Sequence, residues 1–189
     1  MKYVALDLET TGLDPKEDQI LQISMVVEDT NNIKPLLELP HWTAYIQHER
    51  YSGNSYALAM NYWILDILSG RQTCDNDYPI IPMAYFEFDC GFRGPTANEF
   101  LTEHFGDERI TVAGKNVAGF DLPFLPLNLR RRFRHRVLDP GTLFVDFKED
   151  KCVPDLNNCL LRSGDPLGNV AHDAREDALA VIQALRTKY

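Results

Sequence analysis

Apolar and polar positions follow one another in two readable rhythms along this chain. Lys2 to Leu8 is β-rich and almost continuously apolar up to the turn signal Thr11-Gly12-Leu13-Asp14-Pro15. That pattern predicts a buried central strand ending in a loop, with Asp7 and Glu9 at its C-terminal end. Ile20 to Val27, Ile33 to Leu39 and Trp42 to Ile46 predict further strands, and Asn31-Asn32 marks a turn between the first two. Together they read as an antiparallel meander. From Ser55 to Leu68 the rhythm changes: Leu58, Met60, Trp63, Ile64, Ile67 and Leu68 recur at helical spacing, and Ser69-Gly70 supplies the stop.

Residues 71–95 hold Pro79, Pro82 and Pro95 around Tyr85, Phe86 and Phe88, and predict a loop or insertion with one edge strand. Thr96 and Glu99 have capping-box spacing, and Phe100, Leu101 and Phe105 give the helix they open an apolar face that closes at Gly106. Ile110 to Ala113 reads as a short buried strand, followed by a short helix after Gly119. Leu143-Phe144-Val145 is strand-like, Asp155 to Leu161 predicts a small helix, and the last helix runs from about Asp173 to Thr187. No repeat, low-complexity tract or Gly/Ser linker divides the chain. The expectation is one α/β domain over residues 1–189, a mixed sheet flanked by helices.

Composition narrows the function more than the fold. With 189 residues, 44% hydrophobic and 25% charged, the chain is long enough to build a core without disulfides or structural metal. Its formal net charge of −9 excludes a protein that coats nucleic acid by bulk charge. Cys74, Cys90, Cys152 and Cys159 form no CxxC pair, which fits reduced thiols in a cytoplasmic compartment. Asp7 and Glu9 interrupt the stretch a signal peptide would need, and no apolar run approaches a membrane span.

The chemistry lies in the carboxylates. Asp7 and Glu9 are two apart on a strand and so project from one face. Two carboxylates at a buried strand end repel each other and lose hydration, so one is protonated or a divalent cation screens both. Alone, this pair reads equally as a solvated strand end. Asp121 follows a β-run that stops at glycines, where it reads as a helix-start carboxylate or cap. Near the C-terminus, His172 and Asp177 would stand about 140° apart if both were helical. His172 must therefore precede the helix to converge with Asp177, and a loop histidine beside carboxylates can take a proton from water near neutral pH.

Taken in order, Asp7-x-Glu9, Asn116 to Phe120-Asp121 and His172-x4-Asp177 resemble the three motifs of the DEDDh family of 3′-to-5′ exonucleases. The resemblance covers nearly the whole chain and implies an RNase H-like mixed five-stranded sheet flanked by helices. It further implies that Asp7, Glu9, Asp121 and Asp177 hold two Mg²⁺ or Mn²⁺ ions and that His172 is the general base. Hard divalent cations take oxygen ligands, and a pair of them can serve an in-line displacement at phosphorus. Thr10, Thr11, Gly12 and Leu13 become candidates for contact with the terminal nucleotide, Leu13 as an apolar wedge; a plain strand-to-loop turn is the competing reading.

Within the family, several segments are similar to oligoribonucleases: the run from Asp7 to Pro15, Met60-Asn61-Tyr62-Trp63, and Arg136-Val137-Leu138-Asp139 with Thr142. Trp63 is then a base-stacking platform or a core tryptophan, and Asn116, Phe120 and Arg136 join the substrate-binding candidates. The cluster Arg130, Arg131, Arg132, Arg134 and Arg136, with His135 inside it, contacts phosphates, lies at a homodimer interface as the resemblance implies, or is a solvated charge run. Thr10, Val117 and Gly141 stand where oligoribonucleases carry Met, Ser and Ser, so longer RNA and single-stranded DNA enter the substrate range. The expectation is a metal-dependent 3′-to-5′ exonuclease on short or single-stranded nucleic acid, oligoribonucleotides favoured, with no membrane partner. A DNA proofreading or repair exonuclease and a non-catalytic nucleic-acid-binding module are the alternatives.

Overall fold

A run as continuously apolar as the first ten residues is satisfied only by a strand covered on both faces. The computed structural model, which describes residues 1–73, 78–91, 94–164 and 172–189, builds that strand as β1 (Lys2–Thr10). It pairs antiparallel with β2 (Ile20–Asp29) and parallel with β5 (Val112–Ala113). β3 (His41–Gln47) continues the meander, and β4 (Ile80–Pro82) joins β3 in parallel, giving the order β4-β3-β2-β1-β5. The five strands form the mixed sheet expected from the sequence. Among the described residues no helix is long and apolar enough to cross a membrane.

Strand alternation sorts β1 between two cores. Val4, Leu6 and Leu8 enter one cluster with Ile23 and Met25 of β2 and with Phe100 and Leu101 of α4 (Ala97–Phe105). Tyr3 and Ala5 point the other way, under α8 (Leu156–Ser163) and α9 (Ala174–Arg186). Asp7 and Glu9 continue that second row, so the acidic pair emerges where the apolar row beneath α9 ends. On β2 the same face carries Gln22 opposite Glu9, Ser24 opposite Asp7 and Val26 opposite Ala5.

α9 is fastened at both ends. Its N-cap, Asp173, accepts the backbone N–H groups of Arg175 and Glu176, and buried Gln22 donates to Asp173 Oδ2 (3.0 Å) while accepting the Ala174 N–H (3.0 Å). At the other end Arg186 donates to Glu28, which is fully buried (Nε to Oε2, 2.7 Å), and the hydroxyls of Tyr3 and Tyr189 meet at 3.0 Å.

Three expectations are corrected. Ile33–Leu39 is no strand: Pro35 and Pro40 remove ladder donors, and the segment makes a 3₁₀ turn over Leu36–Glu38 with Ile33 and Leu37 exposed. Leu143-Phe144-Val145 is not strand either, because the Asp139 side chain accepts the Gly141 N–H and Pro140 at the first turn opens helix α7 (Pro140–Phe144). Ser55–Leu68 forms two helices, α1 (Ser55–Met60), capped by Asn54, and α2 (Tyr62–Leu68), separated by Asn61. Within 71–95 the edge strand is β4, followed by α3 (Met83–Glu87); Cys74 lies outside the described residues. The Thr96–Glu99 capping box, α5 (Asp121–Phe124) and α8 lie near the places the sequence indicates, while α6 (Leu127–Arg130) is an additional turn that the sequence pattern does not predict.

Candidate active site

Beyond the end of β1 the chain turns tightly. Thr11 exchanges backbone and side-chain hydrogen bonds with Gln19, its N–H donating to the Gln19 carbonyl and its Oγ1 accepting the Gln19 N–H, both at 2.9 Å. The Thr10 hydroxyl donates to the Gly12 carbonyl (2.6 Å). A Cβ at position 12 would meet the Asp18 carboxylate, which would have to move and give up its hydrogen bond from the Asp14 N–H. Thr11 is thus fully buried and spends its hydroxyl on loop closure, whereas Leu13 stands 82% exposed at the rim.

This turn, α1, and the start of α9 enclose a cavity of about 530 Å³. Asp7, Glu9, His172 and Asp177 lie on its floor and wall, with Thr10, Gly12, Leu13 and Phe120 beside them. Ligand atoms of Glu9, His172 and Asp177 lie within 4.8 Å of one another. His172 adopts a positive φ of 50° immediately before the Asp173 cap, the off-helix placement its convergence with Asp177 demands. Asp177 sits in the first turn of α9, where the helix dipole favours a carboxylate. The residue before His172 lies outside the described residues.

Asp121 is the first residue of α5 rather than its cap, which is Phe120. It is buried beside β1, and its Oδ1 has no hydrogen-bond partner. The electrostatics are those of crowded acids. Burial first, then the charges of Asp121, Asp177 and Glu9, hold Asp7 well above the usual carboxylate range. Glu9 is pushed up to about 7 by burial and by Asp177, against a hydrogen bond from Asn61. Burial carries Asp121 up to about 8, although backbone hydrogen bonds, one of them with Leu8, pull the other way. An orphaned buried oxygen and raised carboxyl pKa values together mark a group of hard oxygen donors short of positive charge. A Mg²⁺- or Mn²⁺-sized cation fits that donor set.

Other sequence candidates are placed elsewhere. Trp63, half-buried, packs against a further cluster of Leu21, Tyr45, Ile64, Ile67 and Leu68, its ring edge-on to Tyr45 at 6.3 Å, and is not among the residues lining the cavity. Asn116 holds a positive φ of 55° and donates its N–H to Asp139 Oδ2 (3.0 Å), shaping the turn before Asp121. Arg136 lines a separate basic cavity. Val117 is fully buried in the core, and a Cβ at Gly141 would crowd Val153 and the Pro154 carbonyl, so packing accounts for these two of the three departures from the oligoribonuclease pattern.

The sequence reading missed one wall. Asn54, Tyr56, Ala57, Met60 and Asn61 face the cavity, with Tyr56 exposed. Asn61, buried, donates to the Thr10 carbonyl (3.1 Å) and hydrogen-bonds Glu9. The available signals were an asparagine inside a helical repeat and a tyrosine off its apolar face.

No family model matches the sequence, and no curated protein matches it. Among solved structures, the fold is similar to that of E. coli Exonuclease I in complex with a dT13 oligonucleotide, at TM-score 0.64 and 14% identity, over 99% of this chain and 40% of that one. Exonuclease I with a 5cy-dT13 oligonucleotide gives 0.63 at 14% identity, over 98% of this chain and 40% of that one. The zinc-bound form of the E. coli ExoI–ssDNA complex gives 0.60 at 15% identity, over 99% and 41% respectively. This chain therefore spans about two fifths of the length of those proteins. At such identities the likeness is one of architecture: the α/β sheet and its helices form an RNase H-like fold.

Proposed function

We propose that this chain is a divalent-metal-dependent 3′-to-5′ exonuclease that releases 5′-mononucleotides from short or single-stranded nucleic acid. The observation that carries the reading is the convergence of Glu9, His172 and Asp177 within 4.8 Å, in a cavity that Asp7 also lines, with the buried Asp121 near enough to raise the Asp7 pKa. Asp7, Glu9, Asp121 and Asp177 are the residues that would hold two Mg²⁺ or Mn²⁺ ions, which when bound supply positive charge to the scissile phosphate. His172 accepts a proton from the attacking water; the new bond forms at phosphorus as the P–O3′ bond breaks, and the departing 3′ oxygen takes up a proton from solvent. Leu13, Tyr56 and Phe120 offer apolar surface to a terminal base without reading its identity. Both RNA and DNA strands are proposed substrates, and the single-stranded DNA bound to the fold's solved relatives favours including DNA alongside oligoribonucleotides.

The test is incubation with Mn²⁺ and 5′-labelled RNA and DNA strands, a dinucleotide series and a 3′-blocked control. A one-nucleotide ladder is expected, absent with the block and without metal. Asp7→Ala should abolish it, while His172→Ala should lower kcat by ~10²–10⁴-fold with metal binding retained in calorimetry. Undiminished turnover in Asp7→Ala would refute the assignment.

A further inference from the structure

Beyond β5 the chain returns along the sheet edge. Ile110 bridges Phe133 and Ala113 bridges Leu138, both in parallel. Between these bridges residues 111–112 face residues 134–137, so the outer segment must bulge. Arg134, His135 and Arg136 occupy the bulge, and with Arg109 they line a cavity of about 240 Å³ that no carboxylate among the described residues borders. Arg109 and Arg134 also border a neighbouring cavity of about 500 Å³ with Lys2 and His104, where Glu108 is the acidic member.

Among the described residues these guanidiniums have no carboxylate partner. Arg71, Arg162 and Arg186 pair with carboxylates, and Arg132 donates to Thr102 and Gly106. Among the described residues no ion pair engages Arg109, Arg134 or Arg136. A chain of net charge −9 has carboxylates to spare, yet leaves three exposed arginines crowded around one hollow without them. Their mutual repulsion is relieved by an anion, and the planar guanidinium fork matches phosphate oxygens.

We infer that this basic tract holds the sugar–phosphate backbone of the strand whose 3′ end occupies the acidic cavity, an inference that rests on the exonuclease reading. Leu138 lies beside Ala113, and Ala113 beside Ala5, so the bulge is level with the start of β1 while Asp7 lies further along it. At ~3.3 Å per residue and ~4.8 Å per strand, the two sites are roughly 15–20 Å apart. Phosphates at ~3.4 Å or wider spacing reach the tract only about three to six nucleotides from the 3′ end. A dinucleotide is too short to touch it. Contact is with phosphates alone, so the tract favours longer strands without choosing their sequence.

The test measures affinity by fluorescence anisotropy, with Mn²⁺ present, for a thymidylate dodecamer carrying a phosphorothioate at its 3′-terminal linkage, and for the matching dinucleotide. Arg109→Ala combined with Arg134→Ala should weaken dodecamer binding about tenfold. It should also flatten the log Kd against log salt slope by ~1.4, at ~0.7 per phosphate for a single strand. Dinucleotide affinity should shift less than twofold, and lysine at both positions should restore the slope. Unchanged dodecamer affinity and slope in the alanine variant would overturn the tract. If the wild type cuts no strand but shows the arginine-dependent slope, the exonuclease reading fails and the tract stands.

Discussion

Single carboxyl groups decide how this site responds to pH and metal. Glu9 and Asp121 ionise at about 7 and about 8 in the folded chain, above the ordinary values of 4.5 and 3.8. Between the unfolded and folded pKa values the native state binds more protons than the unfolded one, so stability falls as pH rises through that interval. Metal-free protein should therefore melt at a lower temperature at pH 8.5 than at pH 5.5, within the window set by these two groups. Asp121→Asn should flatten that decline, and Mn²⁺ should restore the melting temperature at the alkaline end. Calorimetric melts across pH, with and without metal, check this. A melting temperature that rises over the same window would place the dominant titration elsewhere. Residue identity and order made these acids legible in the sequence. Invisible there was Asn61, whose contacts with Thr10 and Glu9 depend on a break between two helices that the apolar repeat does not announce.

Elements position what residues supply. Gln22 is a buried amide on β2, facing Glu9 across the ladder and grasping the first turn of α9. It thereby sets the relation between the strand carrying Asp7 and Glu9 and the helix carrying Asp177. Gln22→Leu should leave the Ala174 N–H without its buried acceptor and destabilise the fold by ~1–3 kcal/mol in urea titration. Turnover should drop ~10–100-fold, and Gln22→Glu, which keeps the acceptor for Ala174 but sets a carboxylate against Asp173, should not recover it. The long elements were readable because their periodicity is strong: β1, β2, β3 and α9 appear where the pattern puts them. The short ones were not, because apolar residues near proline fit either a strand or a tight turn. At Ile33–Leu39 the prolines won, and at residues 140–144 an aspartate cap outweighed three β-prone side chains.

At the scale of the molecule, opposite charges occupy opposite stretches of one sheet: carboxylates gather where β1 ends, and unpaired arginines gather beside its beginning. On the proposed function, that separation would give a strand of nucleic acid one place to be held and another to react. Overall topology was legible from the order of the motifs, but the cavity wall from Asn54 to Asn61 was not, since it arises from packing between segments distant in sequence. The double fastening of α9 has a mechanical corollary. With 13 residues at ~1.5 Å rise, this helix is a rod of roughly 20 Å that joins the Asp177 end to the clasp of Arg186 on Glu28. Arg186→Ala strands a buried charge at a cost of ~3–5 kcal/mol, measurable by denaturant unfolding. Below the unfolding transition, the survivors should show a reduced kcat although no atom near the acids has been touched. On the proposed function, a contact roughly 20 Å away along α9 therefore tunes the acids that would do the chemistry.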